Sequence, residues 1–292
     1  MSPRVTALAR YPMKSGRGEP VQHAVVEPWG LRGDRRWMVV DESGAAITAR
    51  EVHRLLLVRP ELTPDGLLLS APDASPLHVP VPQGPAVPVD VWGSALHAVQ
   101  ADVEACAWMS KIVETDARLV YLADPTQRPT NPTRTEPTDR VSFADGYPLL
   151  LASEESLTAL NDWIAEGPRA DEGPLPMQRF RPSVVVAGAP AFAEDTWRRI
   201  RIGAATFRMV KGCDRCVMTT LDPDTGQGGK EPIATLARYR RWDGKTWFAV
   251  NLVPDRVPGI QGVDADGYEI SINVGDEVEV LSADASAAGP LR

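Results

Sequence analysis

Lys211-Gly212-Cys213-Asp214-Arg215-Cys216-Val217-Met218-Thr219-Thr220-Leu221-Asp222-Pro223-Asp224-Thr225-Gly226 is the densest chemical signal in the chain. It sets two thiols at Cys-x-x-Cys spacing beside two cations, ahead of a β-prone run and a turn. A zinc site needs four ligands. No second Cys-x-x-Cys or His pair supplies them, because His23, His53, His78 and His97 are scattered through the first half. A thioredoxin-like pair needs the motif to open a helix after a strand, whereas residues 217–221 read as a β-branched strand. The third reading is a thiolate ligand for a soft metal brought within an organic cofactor. Lys211 and Arg215 would stabilise that thiolate and offer cations to an anionic partner. Taken alone, the turn at 222–226 is a structural return of the chain.

Short β-prone runs bounded by Gly, Pro or acidic turns fill the chain before this stretch. Strands are expected at 5–11, 21–26, 36–40, 46–49, 55–60, 67–70, 77–81, 87–91 and 96–100, with a hairpin through Asp41-Glu42-Ser43-Gly44. A helix is expected over 102–114, with Val103, Cys106, Met109 and Val113 turned to the core, then a strand at 118–122. Residues 124–140, rich in Pro, Thr and Arg, form a long stretch without regular structure, a feature that marks function or disorder. A strand at 148–152 runs into a helix capped by Ser153, with Glu154 and Glu155 at its positive end and Leu157, Leu160 and Ile164 as its apolar stripe. Strands resume at 184–187, 200–202, 206–211, 217–221 and 248–252. A helix over 232–241 interrupts them, and two strands around a turn at 273–276 close the chain. No internal repeat is visible.

The 292 residues suffice for one large or two modest domains. With 27 prolines and 23 glycines the chain suits many short strands rather than a helical bundle. The net charge of −8 implies no uncompensated basic surface for nucleic acid or anionic membrane. No signal peptide and no apolar run of membrane-spanning length is visible. Three cysteines do not form an extracellular disulfide framework, so a cytoplasmic setting is expected. Gly-x-Gly-x-x-Gly, Walker A, His-Glu-x-x-His and Gly-x-Ser-x-Gly motifs are all absent.

Cys213 to Thr220, leading into Asp222-Pro223-Asp224-Thr225-Gly226 and Lys230-Glu231-Pro232, resembles the signature of MOSC-domain proteins, in particular the amidoxime-reducing components and their bacterial counterparts. Tyr11-Pro12-Met13-Lys14-Ser15 and Gly33-Asp34-Arg35-Arg36-Trp37 are similar to landmarks of the family's N-terminal β-barrel region. Phe180-Arg181-Pro182 and Ile272-Asn273-Val274-Gly275-Asp276 are similar to landmarks of the MOSC region. The resemblance covers nearly the whole chain. It implies an α+β, β-rich fold in which a MOSC β-barrel with helices (123–292) packs against an N-terminal β-barrel-like domain (1–122), with the site in the cleft between them.

The same resemblance implies a mononuclear molybdenum held by the two dithiolene sulfurs of molybdopterin and by Cys216, with Cys213 as a neighbour. Cys106, on a helix face, reads as a core residue. Lys14, Ser15, Arg35 and Arg181 match cofactor contacts, and arginine suits phosphate because its planar fork binds two oxygens. Asp145, Gly146 and Tyr147 occupy a segment where the family places small hydroxyl residues. Gly146 and Tyr147 depart from that pattern, so contact there would run through backbone amides. Asp214 and Arg215 would present backbone N–H groups, and Trp247 matches an aromatic near the site.

The implied activity is molybdenum-dependent reduction of N-hydroxylated compounds such as amidoximes, hydroxylamines and N-hydroxylated base analogues. Residues 124–140 would border the substrate entrance. Electrons would come from a separate ferredoxin, flavodoxin or cytochrome b5-type protein with its reductase, since the chain lacks a nicotinamide or flavin fingerprint and a ferredoxin cysteine cluster. The rival expectations are a molybdenum-cofactor carrier or sulfur-transfer protein without reductase turnover, and a redox Cys213–Cys216 pair.

Overall fold

The computed structural model of the protein describes residues 2–255, 269–284, 286 and 289–292. The fold is α+β and β-rich. A nine-stranded sheet runs in the order Val278–Ala283, Trp197–Ile202, Ala205–Asp214, Lys245–Pro254, Leu149–Ser153, Val184–Ala187, Arg4–Arg10, Glu19–Val21, with Arg241–Trp242 paired beside Lys245–Pro254. All its pairings are antiparallel but one. Leu149–Ser153 and Val184–Ala187 lie parallel because the helix α2, Glu154–Ala165, carries the chain back across the sheet. Leu149–Ser153 is buried on both faces, which its sequence Leu-Leu-Leu-Ala-Ser permits.

The first half adds a four-stranded sheet, Trp37–Val40, Arg118–Tyr121, Ser94–Gln100 and Ala86–Val91, and a three-stranded meander, Arg59–Thr63, Gly66–Ala71 and Ala74–Pro80. The helix α1, Val103–Val113, seals them, started by Asp102, whose Oδ1 accepts the Ala105 amide at 2.8 Å. Of the expected core face Met109 and Val113 are buried, joined by Ala105 and Ile112. Val103, the first residue after the Asp102 cap, is 83% exposed, and Cys106 is only half-buried. The expected strand at Ser153 ends in the expected cap, with the Ser153 hydroxyl accepting the Ser156 amide at 3.4 Å.

Three expected strands need correction. Residues 46–49 form no strand; Ala46 makes one bridge to Val40, and the Asp41 carboxylate closes the turn by accepting the Ser43 and Ala45 amides. Residues 55–57 lie in a 3-10 turn, His53–Leu57, before the strand Arg59–Thr63 begins. Residues 217–220 also form a 3-10 turn, Val217–Thr220. The Thr219 and Thr220 hydroxyls donate back to the carbonyls of Cys216 and Val217, at 3.0 and 2.8 Å. Those bonds satisfy groups that a strand would have left to a neighbour. Residues 124–140 are irregular but tied down: Arg128 donates to the Ser142, Ala144 and Asp145 carbonyls, and Asp139 pairs with Arg208 at 2.9 Å.

Among the described residues no helix is long and apolar enough to cross a membrane. Under α2 lies a buried polar knot. Asp195 pairs with Arg240 at 2.6 Å, and Glu194 accepts the Ser156 hydroxyl at 2.7 Å on one oxygen while the other has no partner among the described residues. Burial, with Asp195 nearby, pushes the Glu194 carboxyl up from 4.5 to about 7. A raised folded-state value means stability that is full below about 4.5 and lost as pH rises through 7. Glu194→Gln keeps the shape without the charge. It is expected to stabilise the fold at pH 8 by on the order of 3 kcal/mol and to flatten the stability profile between pH 5 and 8. Urea unfolding at the two pH values checks it, and an unchanged difference between them would refute the assignment.

Candidate cofactor site

The turns that follow strands of both halves open into one cleft of about 470 Å³. Lys14 and Ser15 come from the turn after Arg4–Arg10, and Arg35 from the turn Gly33-Asp34. Asp145, Gly146 and Tyr147 lead into Leu149–Ser153. Arg181 ends a 3-10 turn, Cys213 and Asp214 end the strand Ala205–Asp214, and Arg215 and Cys216 lead from it into the turn Val217–Thr220. All of these line the cleft. Trp247 does not: it is buried one layer back, its indole donating to the Trp242 carbonyl and its ring lying 5.3 Å from the Lys211 ammonium. Residues 124–140 supply no lining residue; Arg128 instead braces the 142–145 segment from behind.

The cleft is cationic although the chain is acidic. Six cations, Lys14, Arg35, Arg50, Arg181, Lys211 and Arg215, face two carboxylates, Asp145 and Asp214. Lys14 is nearly buried and donates to the Phe143 carbonyl at 2.8 Å and to Asp145 at 2.7 Å. Burial pulls its ammonium down to about 8, and Asp145 opposes that pull. Burial raises the Asp145 carboxyl, but Lys14, Arg50 and the Trp92 N–H together hold it well below the usual carboxylate range. The Asp145 side chain is still 62% exposed, so solvent weakens this pairing.

Tyr11 organises the arginines. Its ring lies 4.1 Å from the Arg35 guanidinium and 4.4 Å from that of Arg181, and its hydroxyl donates to the Pro182 carbonyl at 3.1 Å. Arg35 is pinned by the buried Asp34, which also accepts the Tyr11 amide at 2.8 Å. Arg181 has no carboxylate or carbonyl partner for its side chain among the described residues. Burial pushes its guanidinium down to about 10, with the like charge of Arg35 adding to the effect against the pull of Tyr11. A part-buried guanidinium without a counter-ion among the described residues favours an anion in the cleft beside it.

The thiols are unequal. Cys213 accepts a hydrogen bond from Arg215 at 2.8 Å, and burial pushes its thiol up against that cation. The Cys216 thiol makes no hydrogen bond among the described residues and stands at the start of the turn Val217–Thr220. The Arg215 amide, expected to face a ligand, is spent on the Thr246 carbonyl at 2.8 Å; the side chain faces the cleft instead. The amides of Asp145, Gly146 and Tyr147 donate to no acceptor among the described residues, and a Cβ on Gly146 would meet nothing within 4 Å. No cluster of three His, Cys, Asp or Glu side chains suited to a metal occurs among the described residues, which leaves zinc without a ligand set.

Strain gathers at the same place. Of nine non-glycine residues with positive φ among those described, Ser15, Arg35, Trp92 and Arg181 line the cleft. Each costs on the order of 1–3 kcal/mol and persists where surrounding structure over-determines it, typically at functional sites. Arg50 and Trp92 were not singled out from the sequence, although Trp92-Gly93 between two β-prone runs carries a detectable oddity, a large ring in a tight turn.

Residues 2–116 match the MOSC N-terminal beta barrel domain and residues 138–279 match the MOSC domain. Mitochondrial amidoxime-reducing component 1 of Xenopus laevis is 32% identical over 253 residues, covering 82% of this chain and 72% of that protein. Its counterpart in Danio rerio is 36% identical over 256 residues, with coverages of 82% and 76%. Mitochondrial amidoxime reducing component 2 of Homo sapiens is 35% identical over 252 residues, with coverages of 82% and 73%. The chain belongs to the MOSC family. In this MOSC protein the cleft takes Lys14, Arg35 and Trp92 from the first matched region and Asp145, Arg181 and Cys216 from the second.

Proposed function

We propose that the cleft binds molybdenum–molybdopterin, with Cys216 as the protein's ligand to the metal, and that the loaded protein reduces N-hydroxylated compounds. The observation that carries this reading is the pairing, in a single cleft, of the Cys216 thiol with the part-buried Arg181 guanidinium, neither of which has a hydrogen-bond partner among the described residues. The donor set fits the group. One thiolate suffices where the remaining sulfur ligands are organic, and the surplus of cations suits a phosphate.

Lys14 keeps one N–H beyond its two hydrogen bonds, and Arg35 and Arg181 offer forked donors held at fixed angles by Tyr11. These three would take the phosphate. The free amides of Asp145 to Tyr147, with Gly146 leaving room for close approach, would take the polar edge of the pterin. Asp214 in Trp247's strand pair, with Lys211, would keep the Cys216 segment in place. When bound, the cofactor supplies two-electron removal of oxygen from the substrate nitrogen. The protein's part is to hold the metal by Cys216 and to fix the ligand's orientation. Electrons would come from a separate ferredoxin, flavodoxin or cytochrome b5-type donor, and three free thiols suit a reducing compartment.

The test is turnover. Protein made in a molybdate-fed, cofactor-competent host is expected to convert benzamidoxime to benzamidine with a reduced viologen dye, two dye molecules oxidised per substrate. Bound molybdenum without benzamidine would reject the reductase and leave a cofactor carrier.

A further inference from the structure

We propose that Trp92 is the stacking platform of the cleft for a flat, nitrogen-bearing conjugated ring. The inference rests on the proposed function only for the ring's source, which is the pterin or the aryl body of an N-hydroxylated substrate.

Trp92 and Gly93 form the two-residue connection between Ala86–Val91 and Ser94–Gln100, with φ of +56° and +81°. That geometry is the one favoured in tight hairpins, and it selects Asn, Asp or Gly at its first position. A bulky aromatic there is an outlier. The hairpin does not use the ring: Trp92 is 44% exposed and belongs to no core cluster. The side chain reaches instead toward the other half of the molecule. Its indole N–H donates to Asp145 at 3.2 Å, the Arg50 guanidinium lies 4.3 Å from the ring centroid, and the Lys14 ammonium lies 5.2 Å away.

One hydrogen bond and two cations therefore fix the tilt and rotation of a large ring that lines the cleft and stays half open. A pre-oriented aromatic surface loses little freedom when a planar ligand lies on it. Such stacking is sequence-tolerant and strong enough to change affinity roughly tenfold or more per ring.

Trp92→Asn and Trp92→Phe test the assignment in cofactor-loaded protein. Asn suits the left-handed turn, so the thermal midpoint of Trp92→Asn is expected to equal or exceed that of the wild type. Two further readouts are the pterin content per chain and calorimetric titration with benzamidoxime and acetamidoxime. A roughly tenfold fall in pterin content, spared in Trp92→Phe, assigns the platform to the cofactor. Unchanged pterin with roughly tenfold weaker benzamidoxime binding, and acetamidoxime unaffected, assigns it to the substrate. Unchanged pterin with both ligands unchanged or weakened alike, or a lowered thermal midpoint as the sole effect, overturns the proposal. If the wild type binds neither amidoxime, the reductase reading fails and pterin content alone decides the platform.

Discussion

Cys216→Ala is expected to lose at least ~99% of benzamidoxime turnover, while Cys213→Ala stays within a few-fold of wild type. Loss of an outer partner of a metal ligand already costs about 10–100-fold, and here the ligand itself is removed. The two thiols lie three residues apart but in different surroundings. Cys213 is engaged by Arg215 and held on the strand Ala205–Asp214, whereas Cys216 lies just beyond it with its sulfur unengaged among the described residues. Because six cations also line the cleft, organic cofactor content should fall less than activity in Cys216→Ala. X-ray absorption should find one sulfur fewer per molybdenum in Cys216→Ala and no change in Cys213→Ala. Cys213→Ala leaves an Arg215 N–H without its acceptor, so it is expected to cost about 1–3 kcal/mol of stability. Equal turnover and equal sulfur count in the two variants would remove Cys216 as the ligand.

Arg181→Gln and Arg240→Gln should fail in opposite ways. Arg240 is buried against Asp195 at 2.6 Å, with side-chain exposures of 7% and 5%. Its removal strands a buried carboxylate and is expected to cost about 3–5 kcal/mol in urea unfolding. Arg181 strands nothing, since among the described residues its guanidinium has no hydrogen-bond or ion-pair partner and rests on the Tyr11 ring. Its loss should change the stability of the cofactor-free protein by no more than about 1 kcal/mol, the worth of a cation–π contact. The same variant should retain roughly 10–100-fold less pterin, the equivalent of about 1.5–3 kcal/mol for hydrogen bonds to a charged group. Wild-type pterin content in Arg181→Gln would show that no anion is held there.

What could be read from the residues alone was local. The turn at 222–226, the Ser153 cap and the strands Ala86–Val91 and Ser94–Gln100 follow from neighbours in sequence, and the structure has them. The run 217–221 misled because β-branching and hydroxyl back-bonding compete in threonine, and the hydroxyls of Thr219 and Thr220 prevailed. The site's support was out of reach for a different reason. Tyr11 is placed by Asp34, Arg35 and Pro182, and Arg128 braces Ala144 from a segment that reads as loop. Such partners meet only after the chain has folded. Lys14, Arg35 and Arg181 were reachable through resemblance, whereas Arg50 and Trp92 belonged to no matched motif and needed the assembled cleft to be seen.

The pairing of Arg4–Arg10 with Val184–Ala187 also governs how the chain is made. Arg4 sits opposite Ala187. A ribosome adding about 5–20 residues per second needs roughly 10–40 s between synthesising the two. For that interval the first strand has only the short ribbon with Glu19–Val21, which is marginal on its own, and Val5 and Leu8 lack the core that finally covers them. Arg4, Arg10 and Glu19 on this ribbon are charges of the kind that keep a waiting edge from pairing with the wrong chain. Arg4–Arg10 thus reaches its place only after the chain has grown through Ala187.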